Sequence, residues 1–382
     1  MEFSVGEMTR RLDTVRSRMA AAGVDCLLVT GTENFSYFVG VPISLYQSRR
    51  PWAALIPVEA EPVAVMRGPS PSALTLERNG FFRAVETYGF PVSTELPRRI
   101  ADLVKRFKTK RLACELGLEM RLGLPLADFN TLLGLLPGVE IVDAAEIIWS
   151  LRMTKSPEEV ARMRRACEIT GNSRQEVFRQ VRRGMTEGDV ADLWADLMHQ
   201  AGAERPSFIY INTGPIPDLL PSRTKTLQPG ETLWLDGGVY VGGYTCDFSR
   251  VATLGPPSPR QIQLHRDTVE IFDLVFERIR PGVPVRDLAG LVSGEMTRRG
   301  YLGKASVGGA VAGHSMGMLI NEPPLIAPWS DLVLTEGLVI GVEFGPTQPE
   351  GFFVFEQLLQ ITATGYDLLT PEPTTLVTLD DF

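Results

Sequence analysis

Four carboxylates and one imidazole in the C-terminal half of this 382-residue chain sit where their residue types do not ordinarily belong. Asp236 and Asp247 fall within Leu233-Trp-Leu-Asp-Gly-Gly-Val-Tyr-Val-Gly-Gly-Tyr-Thr-Cys-Asp-Phe-Ser-Arg250. That stretch reads as a hairpin. Its first arm is interrupted by Gly237 and Gly238, Gly242 and Gly243 make the turn, and a short second arm carries Asp247. Aspartate is a poor strand former, and a buried carboxylate must be paired, hydrogen-bonded or bound to metal. Alone, the hairpin fits two accounts equally: a turn aspartate plus an Asp247–Arg250 ion pair, or a metal site.

A second hairpin separates them. Leu338-Val-Ile-Gly-Val-Glu343-Phe-Gly reads as a strand, and Phe352-Phe-Val-Phe-Glu356-Gln-Leu-Leu-Gln-Ile-Thr362 as its return, with Gly345, Pro346, Pro349 and Gly351 between them. Glu343 and Glu356 again stand singly in apolar runs. Between the two hairpins lies Gly313-His314-Ser-Met-Gly317, a histidine in a glycine-rich turn. Together these five side chains form a hard, oxygen-rich donor set suited to a pair of divalent cations.

The order Asp236, Asp247, His314, Glu343, Glu356 resembles the ligand set of the creatinase, prolidase and aminopeptidase P family, whose fold is called pita-bread. That family carries an Asp-x10-Asp pair, a Gly-His-Gly-type histidine, a Glu-Pro-Gly glutamate and a final glutamate on the return strand. Leu151-Arg-Met-Thr-Lys155-Ser-Pro-Glu-Glu also resembles the opening of the family's catalytic domain. The resemblance implies an α/β (α+β) chain: a creatinase-like mixed α/β domain over 1–150, then a pita-bread catalytic domain with an internal pseudo-twofold repeat over 151–382. It further implies two metal ions, manganese first, with cobalt, iron or zinc as alternatives. Asp247 and Glu356 would bridge them, Asp236 would complete one site, and His314 with Glu343 the other. Glu343 would also shuttle the proton while a metal-activated hydroxide attacks an amide carbonyl, as in Xaa-Pro peptidases.

Three positions depart from the family pattern. The peptidases have two auxiliary histidines, and their places are taken here by Pro221 and Asn321; the Glu-Pro-Gly step becomes Glu343-Phe344-Gly345. Asn321 and Arg223 are the candidates to replace the lost groups, with Tyr244 and Arg250 as further pocket candidates. The same departures leave open a second class of function, a small-molecule C–N hydrolase or a lyase on this scaffold, of the creatinase or dimethylsulfoniopropionate-cleaving kind. A third class, a non-catalytic interaction module, is opposed by the complete ligand set.

The elements that must position these residues follow from the patterning. In the first 150 residues, helical spacing of Met8, Leu12, Val15 and Met19 ends at Gly23. Strands are expected at 25–30, 52–57, 62–66, 111–115 and 139–143, and helices at 96–107 and 126–136. No phosphate-binding loop appears there. Ser156-Pro-Glu-Glu159 is a capping box with proline in the first turn, starting a helix that runs to about Arg183. An internal echo follows at an offset of 98 residues: Val177, Phe178, Arg182, Gly184, Asp189, Ala191, Leu193, Met198 and Gly202 recur as Val275, Phe276, Arg280, Gly282, Asp287, Ala289, Leu291, Met296 and Gly300. Each copy precedes one carboxylate hairpin, so duplication would bring both hairpins onto one shared site. His199 and His265, the other two histidines, fall on helices and are expected to be structural or exposed.

Bulk properties narrow the partners. A formal charge of −8 without a basic stripe argues against nucleic acid. No apolar run reaches the roughly 18 residues a membrane span needs, and the first residues carry no signal-peptide pattern. Four scattered cysteines without C-x-x-C spacing point to a reducing, cytoplasmic setting. The expected substrate is a small peptide or small-molecule amide. The resemblance implies a homodimer in which the N-terminal domain of one subunit borders the active site of the other; the run Tyr46-Gln-Ser-Arg-Arg-Pro-Trp52 reads equally as a solvated loop or as a lining of the partner's pocket, where Arg49 or Arg50 would meet an anionic substrate end.

Overall fold

The computed structural model describes residues 3–42, 50–89, 95–215, 220–301, 311–370 and 374–382. The chain divides into two compact units, Met1–Arg152 and Met153–Phe382.

The first unit contains α1 (Val5–Ala21), β1 (Cys26–Val29), α2 (Thr32–Val39), β2 (Ala53–Pro57), β3 (Val63–Arg67), α3 (Pro71–Asn79), β4 (Ala84–Tyr88), α4 (Glu95–Arg106), β5 (Arg111–Cys114), α5 (Leu126–Leu135), β6 (Glu140–Asp143) and α6 (Ala145–Arg152). Its strands form one mixed sheet in the order β4-β3-β2-β1-β5-β6. Alternate residues of four strands (Cys26 and Leu28, Ala53 and Leu55, Val63 and Val65, Leu112 and Cys114) face one core with Ile100 and Val104 of α4 and Leu132 of α5, the two-residue period of a sheet with one covered face. Periodicity did not indicate α2, α3, α6 or β4. The reason is plainest for α2, which lacks a side-chain cap of its own. The carboxyl group of Glu115, far along the chain, accepts from the Thr30 and Gly31 backbone N–H groups and from Asn34, supplying the acceptor that the start of the helix lacks. Residues 43–49, and with them Arg49 and most of the Tyr46–Trp52 run, lie outside the described residues.

The second unit continues with α7 (Pro157–Gln180), α8 (Glu187–Gln200), β7 (Arg205–Thr213), β8 (Thr232–Val241), β9 (Tyr244–Thr245), β10 (Phe248–Leu254), α9 (Pro259–Phe276), α10 (Val285–Arg298), β11 (Gly313–Ser315), β12 (Glu322–Leu325), β13 (Val339–Phe344), β14 (Thr347–Gln348), β15 (Gly351–Phe352), β16 (Phe355–Ile361), β17 (Tyr366–Leu368) and β18 (Val377–Leu379). One sheet runs β18-β10-β8-β7 with β9 on β8, and a second runs β12-β11-β13-β16-β17. The Ser156 capping box is present with Pro157 in the first turn, and α7 stops at Gln180, three residues short of the expected end.

The echo in sequence is an echo in structure. Ser258 repeats the capping box and the following proline at the start of α9. Gly184 and Gly282, between the paired helices, have φ of +88° and +90°; Gly202 and Gly300, after them, have +92° and +78°. These left-handed conformations suit glycine, and Gly202 and Gly300 directly follow the C-caps of α8 and α10. The residue before each second helix also makes an isolated bridge downstream, Thr186 to Thr226 and Pro284 to Val333.

Two strand expectations change. Gly237 and Gly238 do not interrupt β8, which runs unbroken through them. They are there for close approach: a Cβ on Gly238 would fall 1.9 Å from the Cys246 carbonyl oxygen, and one on Gly237 2.9 Å from the Trp194 ring. The return strand is broken into β15 and β16, and the proline-containing loop before it holds the small β14–β15 ladder. Among the described residues, no helix is long and apolar enough to cross a membrane.

Candidate metal centre

Strand register aims the second pair of carboxylates. Along β13, Ile340, Val342 and Phe344 turn into the core with α9 and α10, where Phe344 stacks on Phe272 at 4.1 Å. Gly341 and Glu343 therefore face the other way. Glu343 is the antiparallel partner of Glu356 on β16, so both carboxylates leave the same face of the sheet. Gly341 has no side chain because the space is taken: a Cβ there would lie 2.3 Å from Glu356 Oε1 and 2.8 Å from Met316 Cε.

The first pair comes from β8 and from the step between β9 and β10. Asp236 is registered with Ser249, and Asp247 immediately precedes the Phe248–Gly237 pair. Side-chain hydrogen bonds tie this hairpin to the second. Trp234 Nε1 and Ser249 Oγ donate to the Val354 carbonyl at 2.9 and 3.3 Å, and Arg250 Nη1 donates to the Glu356 carbonyl at 2.8 Å. The latter assigns Arg250 a different task from the Asp247 ion pair considered above: with a further 2.8 Å bond to Gln357, it fixes the strand of the last glutamate.

His314 lies on β11, in a strand rather than a turn, opposite Gly341. Its Nδ1 is 3.1 Å from the Ser315 carbonyl oxygen. A carbonyl can only accept, which favours the proton on Nδ1 and leaves Nε2, 3.8 Å from Asp247 Oδ2, free to donate its lone pair. Burial lowers the imidazole pKa despite the pull of the Ser315 and Ile320 carbonyls, so the ring is neutral near pH 7.

One ligand atom each from Asp247, His314 and Glu356 lie within 4.8 Å of one another, and all three residues are buried with Asp236. Glu343 keeps a partly exposed edge. Burial, then mutual repulsion, pushes the acids upward. Asp247 rises to about 7 and Glu343 to about 8; Asp236 and Glu356 go well above the carboxylate range, each raised further by the charge of Asp247. Among the described residues, Asp236 Oδ1, Asp247 Oδ1 and Glu356 Oε1 are buried without a hydrogen-bond partner. Buried oxygens left this way cost free energy unless a cation takes them. The donor set, hard oxygens with one neutral imidazole, fits a divalent metal.

The remaining candidates have surroundings of their own. Arg223 is exposed and paired to Asp192 of α8, with Nη2 3.0 Å from Oδ1. Tyr244 is buried, its hydroxyl donating to Glu159 in the capping box of α7. Asn321 is exposed in the turn between β11 and β12, and Pro221 is half-buried beside Ser222, whose N–H is held by Glu187. His199 is exposed on α8; His265 on α9 packs edge-on to Phe355 at 5.1 Å. All four cysteines are free and buried.

Sequence reasoning passed over three residues. Gly341 had a signal, an isolated glycine in a strand pattern. Arg174, fully buried, donates to the Phe248 carbonyl at 2.7 Å and lies 4.2 Å from the Phe248 ring; on a helix face it resembles any other arginine. Lys155 pairs with Glu322 across 167 positions, which no local pattern reveals.

A duplicated helix–hairpin unit closing on a buried carboxylate–histidine cluster defines a metallohydrolase-type centre. Residues 161–363 match the profile of metallopeptidase family M24, and residues 11–154 match the creatinase/prolidase N-terminal domain. The chain belongs to metallopeptidase family M24. It is 26% identical over 376 residues to the uncharacterized peptidase YqhT of Bacillus subtilis, covering 97% of this chain and all of that one. It is 27% identical over 229 residues to a Xaa-Pro dipeptidase of Pyrococcus horikoshii, spanning 59% of this chain and 64% of that enzyme. Its fold superposes on a Xaa-Pro dipeptidase from Bacillus anthracis with a TM-score of 0.85 and 22% identity, over 97% of this chain and 100% of that one.

Proposed function

We propose that this chain is a dinuclear metal-dependent hydrolase acting on Xaa-Pro dipeptides or a closely similar small amide. The observation carrying this reading is the buried cluster of Asp247, His314 and Glu356, whose ligand atoms lie within 4.8 Å of one another, together with buried oxygens on Asp236, Asp247 and Glu356 that have no hydrogen-bond partner. In it Asp247 and Glu356 would be shared between two ions, with Asp236 completing one site and His314 and Glu343 the other. Two divalent cations supply Lewis acidity and lower the pKa of a shared water.

The chain's own residues do the rest. Glu343, partly exposed, is the group that would take and return a proton in this reading. His314 Nε2 gives a neutral donor fixed by the Ser315 carbonyl. Asn321, exposed in the β11–β12 turn, would meet substrate in this reading; Arg223 would have to leave Asp192 to do the same. Manganese, a homodimer and a cytoplasmic setting complete the proposal.

A second reading, a small-molecule C–N hydrolase or lyase, is favoured by Pro221, whose ring offers no proton to a substrate. A titration of purified apoprotein with Mn2+ tests the shared part of both readings. Two ions per chain are expected, and at most one tight site in Asp247→Asn. Folded protein that takes up no divalent metal would contradict both.

A further inference from the structure

Behind His314 lies a buried ion pair that the proposed chemistry does not use. Lys155 Nζ is 3.5 Å from Glu322 Oε2, and both side chains are 1% exposed. Such a pair is expensive to desolvate and is weak support for stability by itself, so its contacts matter more than its charge. Lys155 Nζ also donates to Ser315 Oγ at 3.2 Å, and Ser315 is the residue whose carbonyl fixes the His314 ring. The other oxygen of Glu322 accepts from the Met318 and Leu319 N–H groups at 2.9 and 3.1 Å, closing the turn after His314. Gly317 leaves room for that carboxylate; a Cβ there would lie 2.8 Å from Glu322 Oε2. At its other end Lys155 is pinned by its backbone. Its N–H donates to the Gly337 carbonyl at 2.9 Å, and Thr154 bridges Leu338, just before the strand that carries Gly341 and Glu343.

We propose that Lys155 and Glu322 are positioning residues for His314: the pair braces Ser315 and the 316–321 turn against the start of β13, and so holds the imidazole with Nδ1 on the Ser315 carbonyl and Nε2 toward Asp247. This rests on the reading of His314 as a metal ligand. Residues that orient a ligating histidine typically account for 10–100-fold in metal affinity.

The test is the double variant Lys155→Met/Glu322→Gln. It removes both charges together, avoiding a stranded buried ion, and the new amide oxygen can still accept from the turn. Two readouts are taken. The first is the 15N imidazole spectrum of the metal-free protein, which has only three histidines to assign. The second is Mn2+ affinity by calorimetry. The expected result is a single Nδ1–H tautomer for His314 in the unaltered protein, tautomer averaging in the variant, and Mn2+ affinity lowered about 10–100-fold, with the unfolding temperature of the metal-free variant little changed. Ser315→Ala, which removes only the hydroxyl, is expected to lower Mn2+ affinity less. An unchanged His314 signature with Mn2+ affinity within about twofold would overturn the inference. Should the unaltered protein bind no metal, the metal reading falls, and the tautomer spectra still decide whether the pair positions the ring.

Discussion

Glu343 and Glu356 face each other as direct register partners across β13 and β16. Like charges opposite one another destabilise a ladder, and here the repulsion occurs in a buried setting with Asp236 and Asp247 added. Without a cation the cluster must hold protons. With one, the same geometry becomes favourable.

That relationship sets a pH dependence. Asp247 and Glu343 have folded-state pKa values of about 7 and about 8, raised from 3.8 and 4.5 chiefly by burial. Between the unfolded and folded values the native state binds more protons than the unfolded chain, so stability falls as pH rises through that window. The imidazole of His314, lowered by burial, acts in the opposite sense only below its ordinary range. Urea unfolding in chelator should therefore show stability decreasing from pH 6.5 to 8.5, and saturating Mn2+ should flatten the slope. A chelated protein equally stable at both pH values would contradict the charge assignment.

Gly341→Ala places a methyl 2.3 Å from Glu356 Oε1. The strand backbone can accept alanine, so the fold should survive while the carboxylate is displaced. Mn2+ affinity should drop by about tenfold or more, the scale seen when a ligand loses its orientation. Calorimetry on the variant checks this; affinity equal to that of the unaltered protein would mean Glu356 does not bind metal from this position.

Arg174 holds a buried charge against Phe248, the residue after Asp247. Arg174→Met removes a charge-assisted bond to the Phe248 carbonyl and a cation–π contact, a loss of roughly 3 kcal/mol. Arg174→Lys should recover part of it, since an ammonium keeps the charge but not the planar stacking. Denaturant titration of the two variants checks the ranking.

Tyr244→Phe tests the role of a position that reads from sequence as a pocket residue. Its hydroxyl bonds Glu159, so the variant should lose about 1.5–3 kcal/mol of stability with kcat and KM within about twofold. A selective change in KM would return Tyr244 to the substrate site.

Much of this arrangement is legible in the chain because the features are local. The capping boxes at Ser156 and Ser258 and the glycines of the echoed turns act over a few residues, and each carboxylate is conspicuous against its apolar neighbours. The failures share a cause. The continuity of β8 through Gly237–Gly238 depends on Trp194 and Cys246 pressing from other elements. The cap of α2 comes from Glu115, the anchor of Arg250 from β16, and the brace on Ser315 from Lys155. Such long-range partners leave no periodicity to read.

The central claim is that this cluster makes the chain a metal-dependent Xaa-Pro hydrolase. Its most direct measurement is the release of proline from a panel of Xaa-Pro dipeptides by Mn2+-loaded protein, with Glu343→Gln as the matched control. The account predicts turnover that disappears with chelator, returns with Mn2+, and falls by about 10²–10⁴ in the Glu343 variant. Fully loaded, folded protein that cleaves none of the panel would contradict it and leave the small-molecule reading in its place.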